Sequence, residues 1–259
     1  MTNNLYQKHN YLNKRISYLK NNIIREYDMT NAGVNILRKN NVITEEEYRH
    51  LNSMEKLKKN KTVGLFLKKN PDISEALINE FVLIRKELFE KNNIDDDDIL
   101  SIKKDAVFII NKKLTNLELN EYYKFQEKNR YISYINIDNK EFYYKSDRTL
   151  DIKGYSKEIK EFHKDYLFKD LEELLFLDTH NEENALFEKL IQLKYNFVTR
   201  ELPYQYYLDL IYGKYLYGIL NHMYYLDEIT EDLKKYVLIN NNLNFLLRVI
   251  NILLKWLKQ

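Results

Sequence analysis

The chain has no cysteine, only 2 prolines and only 5 glycines in 259 residues. Without cysteine there are no disulfides, no thiolate metal ligands and no thiol nucleophile, which fits a reducing compartment. The scarcity of Gly and Pro argues against a loop-rich or low-complexity protein. It also leaves no glycine-rich phosphate loop, and no Gly-x-Ser-x-Gly elbow occurs, so the commonest nucleotide-loop and serine-hydrolase classes fall away. His9, His50, His163, His180 and His222 are scattered without metal-ligand spacing, which gives a zinc site little support. The opening stretch from Met1 to Lys8 has no apolar signal core, and charge interrupts every later apolar run well before the ~20 residues a membrane span needs. A cytoplasmic protein with no membrane partner is expected.

Hydrophobic residues make up 44% and charged residues 31% of the chain, enough for a sizeable core under helices with solvated outer faces. Heavy use of Lys, Asn, Ile and Tyr is what an AT-rich coding sequence favours, pointing to a low-GC bacterium or one of its phages. The net charge of +2 is unevenly spread. Residues 1–70 carry 14 Lys/Arg against 6 Asp/Glu, whereas residues 71–100 carry 3 against 9, so the basic front segment is the part suited to phosphates.

Apolar spacing through Leu5, Tyr6, Leu12, Ile16 and Leu19 predicts a helix, followed by a strand from Asn22 to Tyr27 and a helix from about Thr30 to Lys39. Thr44 followed by three glutamates reads as a helix start, a basic helix is expected over about Ser53–Lys69, and Ser74–Asn92 shows a clear apolar face. Ile99–Ile102 and Ala106–Ile110 read as strands joined through Lys103-Lys104-Asp105. Tyr131–Ile137 and Glu141–Lys145 form a second expected hairpin. From Ser156 onward the pattern is helical. The expectation is an α+β protein: a small antiparallel sheet within an α+β domain over residues 1–155, then a helical domain over 156–259.

The most informative residues are two aspartates at strand edges. Asp28 closes Ile23-Ile24-Arg25-Glu26-Tyr27 and opens into a helix, and Asp105 sits at the tip of the hairpin Leu100–Ile110. Two carboxylates on neighbouring strands are what divalent-metal phosphoryl transfer requires. The same residues also have a plain structural reading: Asp28, Thr30 and Asn31 as helix-capping residues, and Lys103-Lys104-Asp105 as a polar turn.

This order, a strand ending in Asp, helices with a basic member, then a hairpin with Asp at its tip, resembles the palm domain of template-dependent nucleic acid polymerases over about residues 20–115. The resemblance implies that Asp28 and Asp105 are catalytic ligands of Mg²⁺, with the Met29 carbonyl beside them. It implies that Lys58 and Lys61, on the helix Met54–Leu65, bind the substrate triphosphate. It makes nucleotidyl transfer, or nucleic-acid binding by a palm-like core, the expected function, with nucleotides or single-stranded nucleic acid as partners. The competing expectation is a non-catalytic phage or mobile-element protein working through protein contacts. Tyr204, Tyr206, Tyr207, Tyr212, Tyr215, Tyr217, Tyr224 and Tyr225 could stack unpaired bases or serve as core. The closing helix Leu243–Leu257 is apolar over more than one face, suiting central burial, a homodimer or a protein partner.

Overall fold

A computed structural model describes residues 4–203, 206 and 231–257. The protein is α+β, with antiparallel strands concentrated before residue 155 and helices dominating the C-terminal part. The chain divides into two compact units, residues 1–13 with 23–130, and residues 14–22 with 131–259. The expected boundary at residue 155 falls inside the second unit, because the strands after residue 131 share a core with the C-terminal helices.

In the first unit the strands are β1 (Asn10–Leu12), the end of β2 (Tyr18–Met29), β3 (Ile99–Lys103), β4 (Ala106–Ile110) and the start of β5 (Phe125–Ile137), in the order β1-β3-β4-β2-β5. β3 and β4 are short β-branched runs whose residues are nearly all buried. Lys103 pairs with Ala106, leaving the two-residue turn Lys104-Asp105, and Lys104 takes the left-handed conformation at φ 56°. Between β2 and β3 lie α1 (Ala32–Lys39), α2 (Glu45–Ser53), α3 (Lys56–Lys69) and α4 (Pro71–Asn92). Thr44 and Glu47 form a reciprocal capping box on α2, satisfying two otherwise orphaned amides. α4 begins with Pro71 at its first turn and ends at Asn93, whose left-handed conformation stops it. Its Leu77, Phe81, Ile84 and Leu88 fall on one stripe and pack with Tyr27, Ile102, Val107 and Ile109; each fully buried side chain of this kind is worth roughly 1.5–3 kcal/mol. Arg85 on the same helix is 1% exposed. Its guanidinium donates to the carbonyls of Tyr6 at 2.9 Å and Lys104 at 2.7 Å, fixing the β3–β4 turn from behind.

The helix expected through Leu5–Leu19 is not formed. A short 3-10 turn over Leu5–Gln7 is followed by β1, and β2 already starts at Tyr18. Asparagines at 10 and 13 are weak helix formers, and tertiary partners claim the backbone instead: Tyr11 registers with Ile102. Asp95–Asp98 closes into a 3-10 turn with its own capping box.

In the second unit the start of β2 and the end of β5 join β6 (Lys140–Tyr144) and β7 (Leu150–Lys153), ordered β2-β5-β6-β7. Ile137 pairs with Lys140, and the intervening Asp138 and Asn139 both have positive φ, 49° and 63°, as a twisted two-residue hairpin turn requires. Among the described residues its helices are α5 (Lys157–Phe162), α6 (Leu167–Thr179), α7 (Glu183–Thr199) and α8 (Glu231–Trp256). Phe142 on β6 meets Phe245 at 5.3 Å and Phe168 at 6.0 Å between ring centroids, and Leu171, Leu174, Leu190 and Val249 fill in around them. Leu243, Leu246, Val249, Ile250 and Leu253 bury one side of α8. Of the tyrosine cluster, Tyr206 is buried and its hydroxyl donates to Asp170 at 2.7 Å; the remaining seven lie outside the described residues.

Candidate functional site

Alternation along β2 turns Tyr27 and Met29 into the apolar core of the first unit, so Glu26 and Asp28 share the opposite face. Asp28 registers directly with Ala106 on β4. Asp105 is the residue immediately before Ala106, at the tip of the turn that Arg85 holds. The structure therefore brings the two sequence-predicted aspartates together. Burial raises the pKa of Asp105, and the charge of Asp28 raises it further, with its own backbone amide, Lys128 and Lys104 pulling the other way.

Two residues not anticipated from sequence complete this end of the site. Glu26 is 2% exposed, and Lys128 on β5 places its ammonium 2.6 Å from Asp28 Oδ2 and 3.8 Å from Glu26 Oε1. The neighbouring Asn129 donates to Glu26 at 2.6 Å. Glu26 was within reach of sequence reasoning, since i and i+2 on a strand share a face. Lys128 was not, because it lies 100 residues from Asp28 and arrives only through the β2–β5 pairing.

Asp28 and Asp105 open onto a cavity of about 430 Å³, within the range of small-ligand sites. Its other walls are the β2–α1 turn, from Met29 to Val34, and one side of α3 with Lys56, Lys59, Asn60, Val63, Gly64 and Leu67. The turn is tied down: the Thr30 amide donates to the Lys124 carbonyl at 2.9 Å, and Asn35 Nδ2 donates to the carbonyls of Thr30 and Tyr122, both at 2.9 Å. Asn31 is left-handed at φ 50°, and its Oδ1 accepts from the buried Lys59 ammonium at 2.6 Å. α1 and α3 approach so closely that a Cβ on Gly33 would lie 3.3 Å from Val63.

Lys58 and Lys61, the lysines expected to bind substrate, are exposed and do not line this cavity; Lys56 and Lys59 do. Both pairs have i, i+3 spacing, so only the rotational phase of α3 separates them. That phase is set by Val63 and Leu67 turning inward, while Leu57 and Leu65 stay 77% and 52% exposed.

The paired carboxylates are hard oxygen donors of the kind Mg²⁺ takes. Among the described residues no group of three or more His, Asp or Glu side chains converges as a metal cage. A cation at Asp28 and Asp105 would therefore complete its shell with ligand and water oxygens, the ordinary habit of Mg²⁺ at phosphate sites.

Residues 1–255 match the family described as Bacteriophage PBS1 gene 130 protein. The chain belongs to that family. This membership agrees with the phage origin that composition suggests. No curated protein matches the chain. Among the described residues no helix is long and apolar enough to cross a membrane.

Proposed function

We propose that the first unit is a divergent polymerase-palm-like module that binds a nucleoside triphosphate with Mg²⁺ and transfers its nucleotidyl group, acting in the cytoplasm of the infected cell. The observation that carries the reading is the polarity of one cavity: Asp28 and Asp105 at one end, Lys56, Lys59 and the amino end of α1 along its walls. Acid suits the metal and base suits the phosphates, within a volume of about 430 Å³. The strand order β3-β4-β2, with β2 joined to β3 through helices, supports it further, since this split β-α-β arrangement brings a strand end and a hairpin tip side by side.

A divalent cation bound there would supply charge neutralisation and Lewis acidity to phosphoryl transfer. The chain's own contributions are separate. Asp28 and Asp105 would hold the cation at the cavity end, and Lys56 would neutralise phosphate charge. Lys59, anchored on Asn31, would keep the β2–α1 turn in position beneath the ligand. The exposed Lys58 and Lys61 extend the positive surface of α3 outward, where the backbone of a single-stranded nucleic acid could lie.

The test is incorporation of labelled nucleoside triphosphates into an oligonucleotide. Asp28→Asn and Asp105→Asn should each abolish it while the unfolding temperature stays level or rises. Undiminished incorporation in either variant contradicts the reading. A second reading, a protein acting through protein contacts, is favoured by one observation. Phe187, Ile191, Tyr195 and Val198 form an exposed apolar stripe along α7, between 45% and 67% exposed. Sedimentation of wild type against Ile191→Asp separates a self-associating chain from one that is not.

A further inference from the structure

The carboxylates of the candidate site already have a cation among them. Lys128 reaches in from β5, 41% exposed along its side chain, and its ammonium lies 2.6 Å from Asp28 Oδ2 and 3.8 Å from Glu26 Oε1. The ammonium thus takes up a lone-pair direction of Asp28 that a metal ion would use. Glu26 is nine-tenths buried and cannot turn to water for compensation; its other oxygen is held by Asn129. Burial works against a charged Lys128, but the hydrogen bond to Asp28 and the charges of Asp28, Glu26 and Asp105 outweigh it and raise its pKa.

We infer that Lys128 is a built-in counter-ion that competes with the divalent cation for Asp28, so that metal enters only when the Lys128 ammonium swings out toward solvent. This rests on the metal reading of Asp28 and Asp105 and adds to it a gate. With Lys128 in place, its ammonium offsets carboxylate charge at Asp28 and Glu26. Once it withdraws, the site gains an attraction for a dication and frees the Asp28 oxygen to bind it. The exposed stem makes withdrawal easy, since a lysine side chain can place its ammonium in water while its methylenes stay against the strand. A ligand phosphate arriving with the metal would give the displaced ammonium a new partner, which couples metal loading to substrate arrival.

The experiment is titration of the purified full-length protein with Mn²⁺, free ion being read by electron paramagnetic resonance. Wild type is compared with Lys128→Met, Lys128→Arg and the double variant Lys128→Met/Asp28→Asn, and circular dichroism checks that each is folded. The expected result is at least tenfold tighter Mn²⁺ binding in Lys128→Met, near wild-type affinity in Lys128→Arg, and loss of the gain in the double variant. Equal, measurable affinity in wild type and Lys128→Met would overturn the gate while leaving the metal site standing. Absence of Mn²⁺ binding in every form at millimolar ion would overturn the metal reading, and the gate with it. A Lys128→Met variant that fails to fold is replaced by Lys128→Gln, for which the same tightening is expected and the same equality is contradictory.

Discussion

Asp178 in the second unit accepts the Tyr18 hydroxyl and lies 3.4 Å from the Lys20 ammonium, whereas Asp105 in the first unit has a second carboxylate, Asp28, as its foremost electrostatic neighbour. Burial raises the pKa of both. Around Asp178 the hydroxyl and ammonium offset part of that effect; around Asp105 the charge of Asp28 adds to it. The second unit treats a carboxylate as an internal fastening, as it does again where Tyr206 donates to Asp170. The first sets one beside a second carboxylate, the arrangement on which the proposed ligand site rests.

If the second unit is held by packing, its largest response comes from the aromatic cluster. Phe142→Ala should cost about 3–5 kcal/mol, read as a lowered urea midpoint; a loss below about 1 kcal/mol would mean that the cluster is not its main support. Next comes Asp178→Ala, which strands the buried Tyr18 hydroxyl and should cost about 1–3 kcal/mol. Asp105→Asn should do the reverse at pH 7 and stabilise, read as a raised urea midpoint. The sign follows from linkage. With its folded-state pKa above the unfolded value, Asp105 binds its proton more tightly when folded. Its penalty is therefore absent below the ordinary carboxylate pKa of about 4 and grows as pH rises from there toward the folded-state value. The stabilisation by Asn should accordingly vanish in melts near pH 3, and a destabilised Asp105→Asn at pH 7 would erase the distinction between the units.

The smallest effects concern α3. Lys56→Ala should weaken nucleoside triphosphate binding several-fold. Lys58→Ala and Lys61→Ala should leave that binding unchanged, and each should lower the log–log salt slope for single-stranded oligonucleotide binding by about one. Equal effects of all three on the nucleotide would mean that the phase of α3 does not matter.

Those two lysine pairs show where the sequence stopped being legible. The Asp28 strand end and the Asp105 hairpin tip could be read locally, because β-branched runs such as Ala106–Ile110 and a two-residue polar turn are set by neighbours in the chain. The α4 stripe and the C-terminal helices were legible for the same reason. The phase of α3 was not: with Leu57, Val63, Leu65, Phe66 and Leu67 its apolar residues occupy more than one side, and only packing against Gly33 and the β2–α1 turn decides which lysines face the cavity. Lys128 and the Arg85 clamp on the Lys104 carbonyl depend on strand order and helix docking, which no local pattern carries. The opening segment misled because its apolar spacing matched a helix while its backbone partners lay on β3, about 90 residues away.

Asp28 and Asp105 are proposed to form one metal-dependent nucleotide site. The most direct measurement is the unfolding temperature with a mixture of ribo- and deoxyribonucleoside triphosphates, with Mg²⁺, and with both together. Binding to the folded state alone stabilises by about 2.7 kcal/mol at a hundred times Kd. Wild type should therefore melt several degrees higher only when nucleotide and Mg²⁺ are both present. Asp28→Asn and Asp105→Asn should lose that increment while remaining folded. An increment that survives in both variants, or that never appears in wild type at millimolar nucleotide, would contradict the account.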